Sequence, residues 1–228
     1  MPSKALDALL SSVQEIGYLL KADAVVPGAV PKDPLRSRAI GRASVVLLSS
    51  HFERYLFALF EEVVAYLNLM GIDNLQIPPE LRLLHSKASI EEIAETAWNN
   101  RAQKLEAFVA SEAWLWTTNA SIGTFSHIHL LDWMKSPKTR NLLRMFKYWG
   151  VNDIFQSVTA RSHTRQDLVL RIEELVDKRN NIAHGDFATE ATPREVKLYS
   201  LAVTSFCERA DRRMSIQLSR LFKITRPW

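Results

Sequence analysis

One short segment of the chain concentrates side chains that could do chemistry. Residues 173–185 read Glu-Glu-Leu-Val-Asp-Lys-Arg-Asn-Asn-Ile-Ala-His-Gly, and they include a guanidinium at Arg179 and an imidazole at His184. An imidazole changes protonation near neutral pH, so it can give or take a proton. A guanidinium is permanently charged and fits carboxylate and phosphate oxygens. Acid–base work beside a bound anion is the chemistry that such residue types can support.

Helical periodicity places Arg179 where an apolar residue is expected. Apolar residues gather on one face of a predicted helix over 165–184, namely Leu168, Ile172, Leu175, Val176, Ile182 and Ala183. Arg179 projects from the middle of that face, where a guanidinium is costly unless it is paired or reaches water. A neighbouring polar strip holds Glu173, Asp177, Asn180 and His184. This combination of polar and charged residues lowers the stability of a helix that serves only as scaffold, so a role besides folding is indicated.

A carboxylate on an earlier helix offers a partner for this arginine. The apolar face of a helix that starts after Asp33 includes Val46, Ser49, Phe57, Phe60, Val64 and Leu67. Glu53 falls among these residues. A buried carboxylate and a buried guanidinium on two helices of one bundle favour each other, so we expect an ion pair between Glu53 and Arg179.

The residues alone leave a structural interpretation open. A histidine before a terminal glycine is common, because a protonated imidazole is stabilised at the negative end of the helix dipole. In that interpretation Arg179 only bridges Glu53, and His184 only caps its helix.

The elements that must position these residues are predicted to be helices. Asp33-Pro34, Ser136-Pro137 and Thr192-Pro193 are helix starts, and Gly71, Gly150 and Gly185 are helix ends. The predicted helices cover residues 3–22, 34–70, 90–113, 137–149, 165–184 and 193–222, with a short turn at 153–158. Residues 121–130 alternate enough to allow one short strand. The predicted fold class is all-α, an antiparallel bundle within a single domain over residues 1–228, with additional helices inserted in the middle of the chain.

Composition excludes several classes of protein. The 228 residues are 47% hydrophobic and 24% charged, which is typical of a globular protein rather than a disordered one. Because Cys207 is the single cysteine, an internal disulfide and a thiolate zinc site are excluded. The sequence has no apolar signal core and no run of about 18 apolar residues, so we expect a soluble, cytoplasmic protein with no membrane contact.

Charge is distributed unevenly along the chain. Residues 1–137 carry 12 Lys and Arg against 15 Asp and Glu, whereas residues 138–228 carry 17 against 10. A basic final third is consistent with binding to a polyanion, and equally with solvated helix faces. The basic residues near the end are Arg209, Arg212, Arg213, Arg220, Lys223 and Arg226.

Two further groups of residues carry weaker signals. His127, His129 and His163 could ligate a metal, but no carboxylate or thiol completes such a site. The aromatic residues Trp98, Trp114, Trp116, Trp133, Phe146, Tyr148 and Trp149 could stack on bases. At helical spacing such residues more often belong to a core, and Cys207 is also expected there.

The residues described first resemble a known family. The run Arg179-Asn180-Asn181-Ile182-Ala183-His184-Gly185 is similar to the R-x4-H motif of HEPN domains, which are α-helical bundles, many of them ribonucleases. The run Ser50-His51-Phe52-Glu53-Arg54-Tyr55-Leu56 resembles the acidic signature of the RiboL-PSP-HEPN subgroup. The resemblance covers roughly residues 34–70 and 165–222. It leaves 71–160 as an insertion that we expect to govern specificity or partner binding.

The resemblance implies a function and a set of roles. It implies a homodimeric, metal-independent endoribonuclease without a cofactor, in which His184 is the general acid or base and Arg179 stabilises the phosphate. Asn180, Asp177 and Glu53 would be supporting residues. The implied partners are RNA, a second copy of the chain and, in a toxin or phage-defence system, a cognate antitoxin protein. The alternative is a non-catalytic HEPN module that binds RNA, a nucleotide or a protein partner.

Overall fold

The computed structural model describes residues 1–24, 33–117 and 123–228, and within these ranges the fold is all-α. It has nine α-helices and no β-strand there. The helices are α1 Lys4–Ala24, α2 Pro34–Leu69, α3 Pro79–His85, α4 Lys87–Glu95, α5 Trp98–Trp116, α6 Thr139–Lys147, α7 Ile154–Val158, α8 Ser162–Ala183 and α9 Pro193–Phe222, with a 3-10 turn at Asn74–Gln76. The predicted fold class is confirmed. None of the helices in these ranges is both long and apolar enough to cross a bilayer.

Four long helices form the main bundle. Helix α2 packs against α1, α8 and α9, and α9 also contacts α1 and α8. Fully buried aromatic rings lie at the centre, where Phe206 on α9 meets Phe52 on α2 edge to face, with ring centroids 5.9 Å apart. The short helices α6 and α7 cover the bundle beside α8 and α9. The site residues Glu53 and Arg179 therefore lie on two adjacent helices, α2 and α8.

Local capping signals explain several helix boundaries. Asp33 accepts a hydrogen bond from the backbone N–H of Leu35 at 2.9 Å, and Thr192 forms a capping box with Glu195. Each of the three predicted terminal glycines has a positive φ, 60° at Gly71, 76° at Gly150 and 83° at Gly185. All three close their helices with the paired backbone hydrogen bonds of a Schellman motif.

Four details of the predicted elements are wrong. The helix expected at 90–113 is two helices, α4 and α5. Helix α4 ends at Glu95, where the Arg101 side chain donates hydrogen bonds at 2.8 Å to the carbonyls of Ala94 and Thr96. Helix α3 was not predicted at all, and α8 begins at Ser162 rather than at 165. Residues 123–130 form no strand, and 121 and 122 lie outside the described residues.

The start of α6 was also misplaced. The chain was expected to enter this helix at Ser136-Pro137, but the helix begins at Thr139. The reason is a contact between elements, since the backbone N–H of Thr139 donates to Glu173 Oε1 on α8 at 2.7 Å. A carboxylate from another helix thus replaces the local cap.

One close backbone approach on α2 gives a test of the packing. A Cβ added to Gly41 would overlap the carbonyl oxygen of Ala191, which precedes α9, whereas a Cβ on Gly17 in α1 would meet nothing within 4 Å. Alanine is the better helix former at both positions, by about 0.5–1 kcal/mol. We therefore expect Gly17→Ala to stabilise the protein by that amount and Gly41→Ala to destabilise it by about 1–3 kcal/mol. Thermal or urea unfolding of the two variants measures this difference, and equal stabilisation by both would contradict the packing described.

Candidate active site

The end of α8 presents His184 to solvent. His184 is the C-cap residue, and its backbone N–H donates to the carbonyl of Asn180 at 2.9 Å. The next two backbone N–H groups, of Gly185 and Asp186, bond back to Ile182 and Asn181 and reverse the chain. The His184 side chain is exposed, and its imidazole makes no hydrogen bond or ion pair with any residue that the structure describes. The ring is therefore available to a ligand.

Arg179 and Glu53 face one another, but they are not buried. Arg179 Nη2 lies 3.9 Å from Glu53 Oε2, and the two side chains are 30% and 26% exposed. The expectation of a buried pair is wrong in this respect, because Glu53 stands at the edge of the buried stripe of α2 rather than within it. That stripe includes Gly41, Ser44, Val45, Leu48, Ser49, Phe52, Tyr55, Leu56, Leu59, Phe60, Val63, Val64 and Leu67.

The distance and the electrostatics both describe a loose pair. At 3.9 Å the separation is too long for a hydrogen bond between the two charged groups. Partial burial raises the pKa of Glu53, and the positive charge of Arg179 opposes that rise only in part. Arg179 also donates from Nη1 to Asn180 Oδ1 at 3.1 Å. The guanidinium is thus aimed by two neighbours and keeps donor capacity for an anion.

The polar strip on α8 is divided between two tasks. Its first two members hold α6, since Glu173 accepts from the backbone of Thr139 and Asp177 Oδ1 accepts from Lys138 Nζ at 2.7 Å. The last two lie in the final turn of α8, where Asn180 accepts a hydrogen bond from Arg179 and His184 is the exposed C-cap residue. The structure therefore brings Arg179, Asn180 and Glu53 into contact, and it places Asp177 about one turn away with a different partner.

A residue that the sequence did not single out fixes the chain after His184. Arg42 on α2 donates from Nη1 to the carbonyls of Asp186 at 2.6 Å and Thr189 at 2.8 Å. Its guanidinium also lies 5.7 Å from the centroid of the exposed ring of Phe187. Nothing in the sequence marks Arg42, because an arginine on an amphipathic helix is usually a solvated residue. Its role depends on a loop 144 residues later in the chain.

Other contacts of this loop, residues 185–192, strengthen its attachment. The Thr189 hydroxyl and the backbone N–H of Ala188 donate to the Asp186 carboxylate and lower its pKa. Lys178 on α8 donates to the carbonyl of Glu190 and to Glu195 Oε1, each at 2.7 Å. The end of α8, the loop and the start of α9 therefore form one cross-linked unit, with His184 on its outer side.

The alternative metal site gains no support from the described residues. No group of three or more histidine, cysteine, aspartate or glutamate side chains there is placed to hold an ion. His129 Nδ1 instead lies 2.7 Å from Asp132 Oδ2, three residues along the chain. Cys207 is fully buried, as expected of a core residue, and burial raises the pKa of its thiol well above the usual value.

Removing the Arg42 side-chain donors should loosen the loop without unfolding the bundle. In Arg42→Gln we expect the backbone amides of Gly185, Asp186 and Ala188 to exchange with solvent at least about tenfold faster, since two charge-assisted hydrogen bonds are lost. Hydrogen exchange followed by mass spectrometry or NMR measures this. The matching turn after α2, at Gly71 and Ile72, is the internal control and should be unchanged. Unaltered exchange at all five amides would show that Arg42 does not hold the loop.

The comparisons with known proteins bear on what this site is. The model of the RiboL-PSP-HEPN family matches residues 7–215. No match to this sequence was found among curated proteins or among solved structures. HEPN domains are generally nuclease-like. Because the family match runs through most of the chain, this protein belongs to the RiboL-PSP-HEPN family.

Proposed function

We propose that this protein is a metal-independent endoribonuclease whose chemistry is done by Arg179 and His184. The observation that carries the proposal is the end of α8. There the exposed imidazole of His184, which has no partner among the described residues, follows Arg179 by five residues, and the Arg179 guanidinium is only loosely paired. The family to which the chain belongs has domains that are generally nuclease-like.

The proposed reaction is transesterification at a phosphodiester. The 2′-hydroxyl of RNA loses its proton to a base, and its oxygen forms a bond to the adjacent phosphorus. The bond from phosphorus to the 5′-oxygen breaks, and that oxygen takes a proton from an acid. The products are a 2′,3′-cyclic phosphate, or a 3′-phosphate after hydrolysis, and a 5′-hydroxyl. DNA lacks the nucleophile and is not a substrate for this route.

The roles of the side chains follow from their chemistry. An imidazole can both accept and donate a proton, so the ring of His184 serves as the base or as the acid. Arg179 binds the non-bridging phosphate oxygens and stabilises the charge that develops on them. Asn180 directs Arg179 through the 3.1 Å hydrogen bond, and Glu53 holds the other side of the guanidinium. Asp177 supports the site indirectly, because it anchors Lys138 one turn away.

The reaction also gives a reason for a dimer. It needs a base and an acid at the same phosphate, and the motif provides one histidine per chain. Two copies that face one groove supply two imidazoles. We therefore propose a homodimer as the active form. We further propose that it acts on RNA in the cytoplasm, as a toxin or a defence-system ribonuclease that a cognate antitoxin protein restrains.

One observation favours a second candidate, a HEPN module that binds RNA, a nucleotide or a protein without cutting. In the described residues no acceptor holds the second ring nitrogen of His184, whereas a catalytic histidine is usually oriented by such a group. In the proposed enzyme that orienting contact comes from the partner chain or from the RNA. In the binding module it is absent.

The first test is cleavage of a mixed RNA pool in EDTA. We expect the purified protein to cut RNA and His184→Ala to lose at least about 10²-fold in rate, because a general acid–base catalyst contributes about 10²–10⁴. His163→Ala is the matched control, since His163 is an exposed histidine at the other end of the same helix. Equal inertness of all three proteins would favour the binding module, and cleavage that survives His184→Ala would exclude the proposed chemistry.

Arg179 should matter for activity far more than for stability. Because the pair with Glu53 is partly exposed and long, Arg179→Ala should change the free energy of unfolding by no more than about 1 kcal/mol, while cleavage is lost. Glu53→Gln is the companion variant, and it should keep most of the activity because Arg179 is still present. Urea unfolding and cleavage assays on both variants give the comparison. An unfolded Arg179→Ala protein would show instead that the arginine is part of the scaffold.

A further inference from the structure

A second basic surface lies on the segment from Asp132 to Tyr148. This stretch has five cationic residues, namely Lys135, Lys138, Arg140, Arg144 and Lys147. Its single carboxylate, Asp132, already lies against His129. The formal charge of this short segment equals the +4 of the whole chain. Asp177 on α8 pairs with one of these cations, Lys138, and the positive charge that remains favours the binding of a polyanion.

Three of these cations lie on one face of helix α6. Arg140, Arg144 and Lys147 follow one another at helical steps of four and three, and all three are exposed. The opposite face is buried, through Leu142, Met145 and Phe146. None of the three cations forms an ion pair within the described part of the chain. Their charge is therefore available to a ligand.

Two aromatic rings hold Arg144 in a fixed position. Its guanidinium lies 4.3 Å from the centroid of Trp133 and 5.7 Å from that of Tyr148. Arg144 Nε also donates to the Tyr148 hydroxyl at 2.7 Å, and the Trp133 indole N–H donates to the carbonyl of Leu130 at 2.8 Å. A guanidinium fixed in this way keeps its Nη donors for a phosphate or a base edge, and it offers a flat face on which a base can stack.

This surface begins where α6 meets the polar strip of α8. Lys138 joins Asp177, and Thr139 joins Glu173. Asp177 precedes His184 by seven residues, which is about 10 Å along a helix. A nucleic acid strand bound at His184 therefore needs to extend only a short distance to reach the start of α6.

We infer that the face of α6 formed by Arg140, Arg144 and Lys147, together with Trp133 and Tyr148, is a binding subsite for single-stranded RNA beside the cleavage site. The cations bind successive phosphates, and Arg144 on its aromatic support stacks against an unpaired base. This inference rests on the proposed function for its substrate. It assigns a role to part of the segment 71–160 that separates the motif-bearing helices.

The aromatic support favours a single strand over other polyanions. A double helix keeps its bases stacked internally and would use only the charges of this surface. An acidic protein segment would also be attracted by charge, but it has no aromatic base to stack. Alternating cations and aromatic rings are the usual construction of single-strand sites.

The test measures binding in a protein that cannot cut. Fluorescence anisotropy with a labelled oligo-uridine is measured on His184→Ala, first alone and then with Arg140→Gln/Arg144→Gln/Lys147→Gln. The matched control replaces three exposed cations of the C-terminal region, in Arg212→Gln/Arg220→Gln/Lys223→Gln. We expect the α6 triple variant to bind about tenfold more weakly or worse and the slope of log affinity against log salt to fall by about 2. The control should retain most of the affinity, and equal losses in both triples would overturn the inference.

A single aromatic substitution separates stacking from charge. Trp133→Leu should weaken oligo-uridine binding about tenfold, whereas Trp98→Leu should not. Trp98 is the matched control, because it is exposed and also lies under an arginine, with Arg101 at 5.5 Å. Unchanged affinity in Trp133→Leu would overturn the inference in favour of an unspecific anion surface. Competition by poly-glutamate as effective as that by RNA of equal charge would overturn it in favour of an acidic partner. If Trp133→Leu does not fold, Tyr148→Leu gives the same comparison, because it removes the other aromatic ring beside Arg144 and no charge.

The outcomes distinguish this inference from the proposed function. Binding by α6 is measured without cleavage, so a protein that binds through α6 but never cuts would refute only the proposed nuclease. A protein that cuts RNA through His184 and binds equally well without the three α6 cations would refute only the subsite.

Discussion

The site depends on how α8 ends. A helix leaves its last carbonyls without partners, and a chain that reverses there must satisfy them and hold the turn in place. Gly185 provides the left-handed conformation for the reversal, and Arg42 ties the carbonyls of Asp186 and Thr189 to α2. With the turn fixed on its inner side, His184 points its imidazole outward. Residues far apart in the sequence thus fix the backbone around one exposed ring.

The polar strip of α8 combines residues that hold a neighbouring helix with residues of the proposed active site. Glu173 and Asp177 are occupied by α6, and this explains why a polar strip persists through a helix that is otherwise packed against the bundle. Asn180 and His184 have no such duty toward another helix. Arg179, which precedes Asn180, is held by Asn180 and, more weakly, by Glu53. A loosely held guanidinium can exchange a protein carboxylate for a phosphate at low cost, which suits a site that binds and releases an anionic substrate.

Local signals in the sequence were sufficient for the bounds of the long helices α2 and α9 and for the facing of Glu53 and Arg179. Caps at Asp33 and Thr192 and the terminal glycines depend on neighbouring residues alone, so they could be read directly. The burial of the Glu53–Arg179 pair could not be predicted, because a helical wheel does not show where the buried stripe of a helix has its edge. The contacts of Arg42, Glu173 and Arg101 could not be predicted, for a common reason. Each bonds to backbone atoms of another element or loop, and no periodicity in the sequence reports such contacts.

The measurement that tests the central claim most directly is the chemical identity of the RNA ends produced by the purified protein. Attack by the 2′-hydroxyl leaves 2′,3′-cyclic phosphates, which ³¹P NMR distinguishes from other phosphates, and 5′-hydroxyl ends that a kinase labels without prior dephosphorylation. Our account of Arg179 and His184 predicts both kinds of end. Fragments with 5′-phosphates would show that water, rather than the RNA itself, attacks the phosphorus, and they would contradict it.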